Sequence, residues 1–426
     1  RREHTVKSAY KRTIRYNLQL FCKTCTVFII MPTDQSKMFD SSIFTFKVFG
    51  ISIERNPSKF IKFYTYIYVL VTFFIYNFLL TLNLYYTPRK VELLISEVIF
   101  YFTEISTGSK VITLLFMRSQ FMDVIDFVNC DEFKGDYKNK DGLLYKYTDK
   151  VYKLWRRVYT TFSNIGYLIL VFFPTLYLIQ GKESELPICK YYFLSDELRE
   201  TYFTFWFVYQ SFGVYAHMMY NVNFDLITGG LFIFVIVQLQ LLYNNLSNLK
   251  LSKEESLLPK EFQDRIQIDR LNRCLRHYEL ILEFCDKIQD VLSVTLFVQY
   301  VSATLIICVV LCGLVFKSSP DTLIFMMMYL CNMISEILVP AFLGNELTYK
   351  SQQLTTAAYM SEWIPRSEKF KSSLKLFVER AKKPIIFTGL KIFSLSLVTF
   401  ITIMKTAYSM FTLIRNVQDV QEKQVK

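Results

Sequence analysis

The chain has 426 residues, 52% of them hydrophobic, 17% aromatic and only 20% charged, with 40 Phe and 29 Tyr against 12 Gly. Mean hydropathy is +0.25, and soluble domains average nearer a quarter charged, so the composition argues against a water-soluble globule and for an all-α polytopic membrane protein. The formal charge of +12 would suggest nucleic acid in a soluble protein; here the basic residues can instead sort loops across a bilayer, and their placement decides.

A bilayer core about 30 Å thick takes roughly twenty apolar helical residues. After a basic segment, 1–62, the first stretch free of Asp, Glu, Lys and Arg is 63–88, followed by 91–117, which is apolar but carries Glu92, Glu97, Glu104 and Lys110. A basic stretch leads to the third span, 158–181, and then to the fourth, 201–224. Residues 226–249 are uncharged too, with only Asp225 between. They would make an eighth span, but no turn residue except Gly229-Gly230 separates the halves. The second half is also amphipathic, with Leu239, Leu242, Leu246 and Leu249 on one stripe. One helix of 49 residues is therefore expected, roughly 73 Å long, its second half projecting into water. The fifth, sixth and seventh spans are 291–316, 322–345 with Glu336, and 392–414 with Lys405.

Seven spans leave 37 of the 49 basic residues on 1–62, 118–157, 250–287 and 350–383, and only 9 on the alternate loops. By the positive-inside rule this split predicts a cytoplasmic N-terminus and an extracellular C-terminus, the inverse of a G-protein-coupled receptor. It also removes the case for nucleic acid. Cys189 is the single cysteine in the presumed outer loops, and the one usable sequon, at Asn245, falls on the cytoplasmic side. The nine cysteines are odd in number and scattered, Cys22 and Cys25 read as ordinary thiols, and no spacing suits a metal. The sequence opens on Arg1, as a trimmed start would, and no short apolar segment with a cleavage site is visible. No internal repeat stands out, which argues against an inverted-repeat transporter. Between the spans, Phe370, Leu374, Phe377, Val378 and Ala381 recur at helical spacing, as do Ile266, Leu271, Leu275 and Tyr278. Such stripes either lie on a membrane surface or are buried between subunits, and the projecting fourth helix favours assembly.

No enzyme motif is present, and His4, His217 and His277 are far apart in sequence. The chain is read as no enzyme, without cofactor or metal, so function falls on binding or conduction. On the last span Thr399, Thr402, Thr406, Ser409, Leu413 and Asn416 share one face, opposite Phe400, Ile403, Ala407, Met410 and Ile414. A polar stripe is either a packing seam of small hydroxyl residues or a wall of a water path. Leu413 breaks the stripe where an apolar ring would gate by dewetting. A pore lined by one helix per subunit requires several subunits around an axis.

Two stretches, Leu347-Thr-Tyr-Lys-Ser-Gln-Gln-Leu-Thr-Thr-Ala-Ala-Tyr-Met-Ser-Glu-Trp-Ile-Pro365 and Lys405-Thr-Ala-Tyr-Ser-Met-Phe-Thr-Leu-Ile-Arg415, resemble the best-preserved segments of insect odorant receptors. The resemblance covers nearly the whole sequence and implies a ligand-gated, non-selective cation channel, tetrameric, with the seventh helix split into an anchor near 366–383 and a pore helix. It implies a gate on Leu413, with Val417 one turn outward, Asn416 between them, and Thr406 and Ser409 along the same pore wall. Its co-receptors are similar in plan but have a longer loop between the fourth and fifth spans, so this chain resembles an odour-tuning subunit. The implied partners are the olfactory co-receptor in a heterotetramer, a small volatile odorant and membrane lipid, at the plasma membrane of olfactory sensory neurons. The implied organisation is a cytoplasmic segment 1–62, helices one to six with the ligand chamber at 63–345, anchor helices 346–388, a pore-lining helix 389–417 and an outer tail 418–426.

The resemblance also implies a chamber between the outer halves of the second, third, fourth and sixth spans. Helical spacing within those halves selects Glu97, Phe100 and Tyr101; Ser163, Gly166, Leu170 and Phe173; Trp206, Tyr209, Gln210 and Phe212; and Phe325, Met328 and Tyr329. Charges inside spans are costly and usually paired or functional. Glu104 and Lys110, six apart, do not pair directly; Asp225 reads as the point where the fourth helix leaves the membrane; and a Glu336–Lys405 contact would couple the sixth helix to the pore helix. Gustatory receptors of the same superfamily, G-protein-coupled receptors and transporters are the rival readings, the first disfavoured by the tail at 408–415.

Overall fold

The computed structural model describes residues 35–54, 57–133, 140–180, 186–314 and 320–425. Cys22, Cys25 and His4 lie outside the described residues. Helix α1 (Asp40–Val48) comes first. The first spanning helix, α2 (Lys59–Tyr86), is started by Ser58, whose hydroxyl accepts the Ile61 amide at 3.3 Å. At Leu70–Ile75 it widens into a π-turn, which releases backbone carbonyls from the regular ladder. Helices α3 (Val91–Phe116), α4 (Arg118–Phe127), α5 (Lys140–Ile179) and the short α6 (Asp196–Thr201) follow. Pro174 within α5 offers no N–H to the Leu170 carbonyl.

The fourth spanning helix, α7 (Phe203–Ser247), is one unbroken element of 45 residues, roughly 68 Å long, as the missing turn signals predict. Its glycine pair is there for packing. A Cβ at Gly230 would stand 2.6 Å from the Phe39 ring and 2.9 Å from Tyr152, and one at Gly229 would meet the Trp155 ring. Helix α7 touches α1, α3, α5, the π-turn of α2, and the next two long helices, α8 (Lys260–Gly313) and α9 (Pro320–Met360). The helical stretch expected before the fifth span is continuous with that span: α8 runs 54 residues without interruption.

Helix α10 (Glu368–Ala381) buries Phe370, Leu374, Phe377 and Ala381. It packs on α8 and α9, with Phe377 edge-on to Tyr278 at 5.1 Å. This corrects the expectation that the apolar stripes need partner subunits. Leu271 and Tyr278 are likewise buried within this one chain. A hairpin of β1 (Thr388–Gly389) and β2 (Phe393–Ser394), antiparallel with Thr388 opposite Ser394, joins α10 to the last helix, α11 (Leu397–Val425). Its three-residue loop is built on a turn from Gly389 to Ile392, the Ile392 amide donating to the Gly389 carbonyl at 2.9 Å; the central residues Leu390 and Lys391 have φ of 48° and 59°, the positive pair that a type I′ turn demands. Gln289 of α8 clamps the hairpin by accepting from the Thr388 amide at 2.8 Å and donating to its carbonyl at 2.7 Å.

Among the described residues, seven helices are long and apolar enough to cross a membrane. The α7–α8 connection and α10 lie at one end of the bundle, the basic end, rich in Lys and Arg over 250–287 and 366–383.

Candidate functional site

Toward the other end, α3, α5, α7 and α9 stand apart around a cavity of about 100 Å³, the order of the roughly 150 Å³ apolar cavity that takes benzene. Each helix contributes one face at steps of three and four. From α3 come Phe100, Thr103, Glu104 and Thr107, and from α5 Phe162, Ser163, Gly166, Tyr167 and Leu170. From α7 come Val214, His217, Met218 and Asn221, and from α9 Phe325, Met328, Tyr329, Asn332 and Met333. Phe100 stacks on Phe325 with centroids 5.9 Å apart, and the Thr103 and Tyr329 hydroxyls are hydrogen-bonded. A Cβ added at Gly166 would meet nothing within 4 Å, so its missing side chain is cavity space. Ser163 Oγ and Asn332 Oδ1 are buried without a hydrogen-bond partner, leaving two unpaired polar atoms for an occupant among largely apolar walls.

Of the fourteen positions expected to hold ligand, seven line this cavity: Phe100, Ser163, Gly166, Leu170, Phe325, Met328 and Tyr329. Glu97, Tyr101, Phe173, Trp206, Tyr209, Gln210 and Phe212 do not. The reason lies in the segment between α5 and α6, which folds against the outermost turns. Gln210 accepts the Ile188 amide at 3.0 Å and donates to the Cys189 carbonyl at 2.9 Å. Trp206 meets Tyr191 edge-on at 5.3 Å, and Asn83 of α2 accepts the Tyr192 amide at 2.8 Å. Tyr209 turns to α2, donating to the Val71 carbonyl at 2.9 Å, while Phe212 lies against Tyr68. The wall on α7 is thus one to two turns deeper than expected. Eleven lining residues were missed: Thr103, Tyr167 and Asn332 continue a selected face by one turn and Thr107 by two, while Val214, His217, Met218 and Asn221 lie deeper on α7 than the stretch selected.

The cavity floor is polar. His217 donates from Nε2 to the Thr72 carbonyl, a π-turn oxygen, at 2.7 Å, and its Nδ1 meets the Glu104 carboxylate. The carbonyl can only accept, so a further proton lies between Nδ1 and Glu104, and the pair is neutral overall. One turn deeper, Lys110, fully buried, contacts Asn221 Oδ1 at 2.6 Å, Asp225 Oδ1 at 2.7 Å and Glu336 Oε1 at 3.0 Å. Tyr159 donates to the second Asp225 oxygen at 3.2 Å. Asp225 is therefore an interior partner, not an exit marker. Glu336 binds Lys110, while Lys405 sits exposed on α11, so the contact considered between them does not form. Asn221 belongs both to the cavity wall and to the ion cluster.

On α11, Ala407 is buried, and Phe400, Ile403 and Met404 pack on the core. Thr402, Thr406, Ser409, Leu413 and Asn416 form an exposed face, Leu413 at 57%. Thr402 and Thr406 donate to the carbonyls one turn back, both at 2.9 Å. Thr399, the first member of the stripe, is half-buried and donates to the Ser394 carbonyl at 2.7 Å, while the later members are exposed within the single chain. The Val417 side chain lies outside the described residues.

Seven spanning helices among the described residues, four of them around a largely apolar cavity, define a polytopic membrane protein of receptor type. The chain belongs to the insect odorant receptor family: the family model described as 7tm Odorant receptor matches residues 90–408. Odorant receptor 42a of Drosophila melanogaster is 28% identical over 168 residues, 39% of this chain and 41% of that receptor. Odorant receptor 94a of the same species is 26% identical over 276 residues, 62% of this chain and 68% of that receptor. The chain spans about two fifths of the length of the first relatives it matches. The fold is similar to that of the insect olfactory receptor OR5 from Machilis hrabei, with a TM-score of 0.76 and 16% identity over 89% of this chain and 98% of that one. It is also similar to the same receptor in complex with eugenol, with a TM-score of 0.75.

Proposed function

We propose that this chain is the odour-tuning subunit of a heteromeric, ligand-gated, non-selective cation channel, assembled with the olfactory co-receptor as a heterotetramer in the plasma membrane of olfactory sensory neurons. The observation that carries this reading is the cavity between α3, α5, α7 and α9, largely apolar with a few convergent polar groups. Such a site suits a small volatile ester, alcohol, terpene or aromatic. The Drosophila relatives are named odorant receptors, and OR5, of similar fold, is seen with eugenol.

The second support is the exposed polar face of α11. In a ring of subunits it would line the axis, with Leu413 as the apolar constriction and Asn416 the polar ring beside it, and Thr406, Ser409 and Val417 along the same wall. Exposed apolar side chains at the basic end, among them Tyr359, Ile364 and Leu376, offer the contacts between subunits. The loop charges orient the N-terminus to the cytoplasm and the C-terminus outside. This gives the organisation 1–62 cytoplasmic, 63–345 helices and chamber, 346–388 anchor, 389–417 pore helix and 418–426 outer tail. Odorant in the cavity favours an arrangement in which the Leu413 ring moves off the axis; it does so only by binding that arrangement more tightly.

The test is whole-cell recording of odorant responses in cells expressing this chain with the co-receptor, and this chain alone as control. Odour-evoked cation current is expected from the pair only. Leu413→Ala should raise the current without odorant, and Asn416→Asp should shift rectification. Odour responses carried by G proteins without a current, or an N-terminal tag accessible on intact cells, would sink the reading.

A further inference from the structure

Beside the Lys110 cluster lies a second, smaller cavity of about 20 Å³, lined by Asp225, Thr228, Gln299, Ser335, Glu336 and Trp155 among others. Its volume is enough for one water or one dehydrated ion. Lys110 reaches one oxygen of each carboxylate, Asp225 Oδ1 and Glu336 Oε1, leaving the second oxygen of each free of the ammonium. With both carboxylates ionised, one ammonium between them leaves a single negative charge in the interior. Nearby groups do not cancel it, because the His217–Glu104 pair is neutral by its own hydrogen bonding, and Tyr159 and Gln299 contribute only dipoles.

Thr228 supplies an independent sign. It is only 4% exposed and borders this cavity, yet its Oγ1 has no hydrogen-bond partner. Other threonines of the bundle, such as Thr103 and Thr113, donate to the carbonyl one turn back. Pro340, also in the wall, withholds an N–H from the Glu336 carbonyl, which instead accepts from Gln299 at 3.3 Å. Asp225, Glu336, Thr228, Gln299 and Ser335 thus bring oxygen atoms to a small space whose wall is otherwise apolar, Trp155, Val339 and Pro340 among it. Water would satisfy Thr228 but leave the buried charge uncompensated, and that is expensive in a low-dielectric interior.

We propose that a sodium-sized monovalent cation binds between α7 and α9, held by Asp225, Glu336 and the Thr228 hydroxyl. Hard oxygen donors and two carboxylates already shared with a lysine suit a single positive charge. A divalent ion would overcompensate the cluster.

The test is thermal unfolding of the full chain purified in detergent micelles, in NaCl, KCl or choline chloride at matched ionic strength. The expected result is a saturable rise in Tm of a few degrees in NaCl over choline chloride. That rise should be lost in Asp225→Asn and in the nearly isosteric Thr228→Val, and kept in Thr228→Ser. Thr228→Val, which removes no charge, keeps the test decisive if Asp225→Asn does not fold. Equal melting in NaCl and choline chloride would mean that water fills the space or a proton balances the charge, and overturns the proposal. So does a KCl effect equal to that of NaCl, or a sodium effect that survives Thr228→Val. The readout is stability rather than odour response, so it stands or falls separately from the channel reading.

Discussion

Along α7, the stretch from Leu226 to Leu246 and the stretch from Phe203 to Asn221 use similar residues to opposite ends. In the first, Ile227, Phe232, Val235, Leu239, Leu242 and Leu246 are all 0% exposed, and aromatic rings press on the glycine backbone itself. In the second, Val214 and Met218 border open space, and Phe205 and Val208 are 60% and 59% exposed. Two glycines show the contrast at the scale of one atom. A methyl at Gly230 has nowhere to go, and a methyl at Gly166 would touch nothing. Native interiors are close-packed, so a void kept open by stacked rings and bordered by unpaired polar atoms is a site for an occupant, while the deeper half is the frame that holds its walls. Lys110 lies on the boundary, tied to both regions through Asn221 and Asp225.

Lys110→Met strikes both regions and should have the largest effect. It leaves Asp225 and Glu336 buried against each other without the ammonium between them, a loss of about 3–5 kcal/mol for a broken buried pair. The expected outcome is a collapse of monodisperse protein in size-exclusion chromatography; a variant as stable as the parent would mean that the boundary is not held by charge. Gly230→Ala tests the frame alone. Forcing a methyl against Phe39 and Tyr152 should cost about 1–3 kcal/mol, read as a lower Tm with the order of odorant potencies unchanged. Smaller again is Tyr209→Phe, which removes the bond to the Val71 carbonyl, about 1 kcal/mol. Since Tyr209 lies off the cavity, a change in odorant ranking there would redraw the boundary of the site.

The frame was the more legible of the two regions. Uncharged stretches of bilayer length marked the spans, the missing turn between residues 224 and 226 marked the long helix, and the stripe Phe370, Leu374, Phe377, Ala381 marked α10, because period and length are local properties. The site was half legible. Helical spacing identifies which residues share a face, and so found Phe100 with Ser163, Gly166 and Tyr329. It does not say how deep a wall lies, and that depth is set by the segment around Ile188 and Cys189 that Gln210 holds in place. Nor does it say who faces whom across 111, 115 and 226 residues of chain, the separations from Lys110 to Asn221, Asp225 and Glu336. Asp225 was misread for that reason, as a charge alone between two apolar runs looks like an end until its partner is known.

Gly166→Ala separates the site from the frame with the least disturbance. The residue lies inside α5, where alanine favours the helix over glycine by up to about 1 kcal/mol, and the added methyl meets no atom. Stability should therefore hold or rise slightly, the opposite of Gly230→Ala. The methyl instead occupies part of a cavity of only about 100 Å³, and this loss falls on ligands that fill it. Bulkier agonists should weaken by about tenfold, near 1.4 kcal/mol, while the smallest keep their potency, as read from dose–response curves of the co-expressed channel. An equal loss for small and large odorants would place the methyl in the gating motion rather than in the ligand's space. A fall in Tm like that of Gly230→Ala would mean that this wall is packed as tightly as the frame.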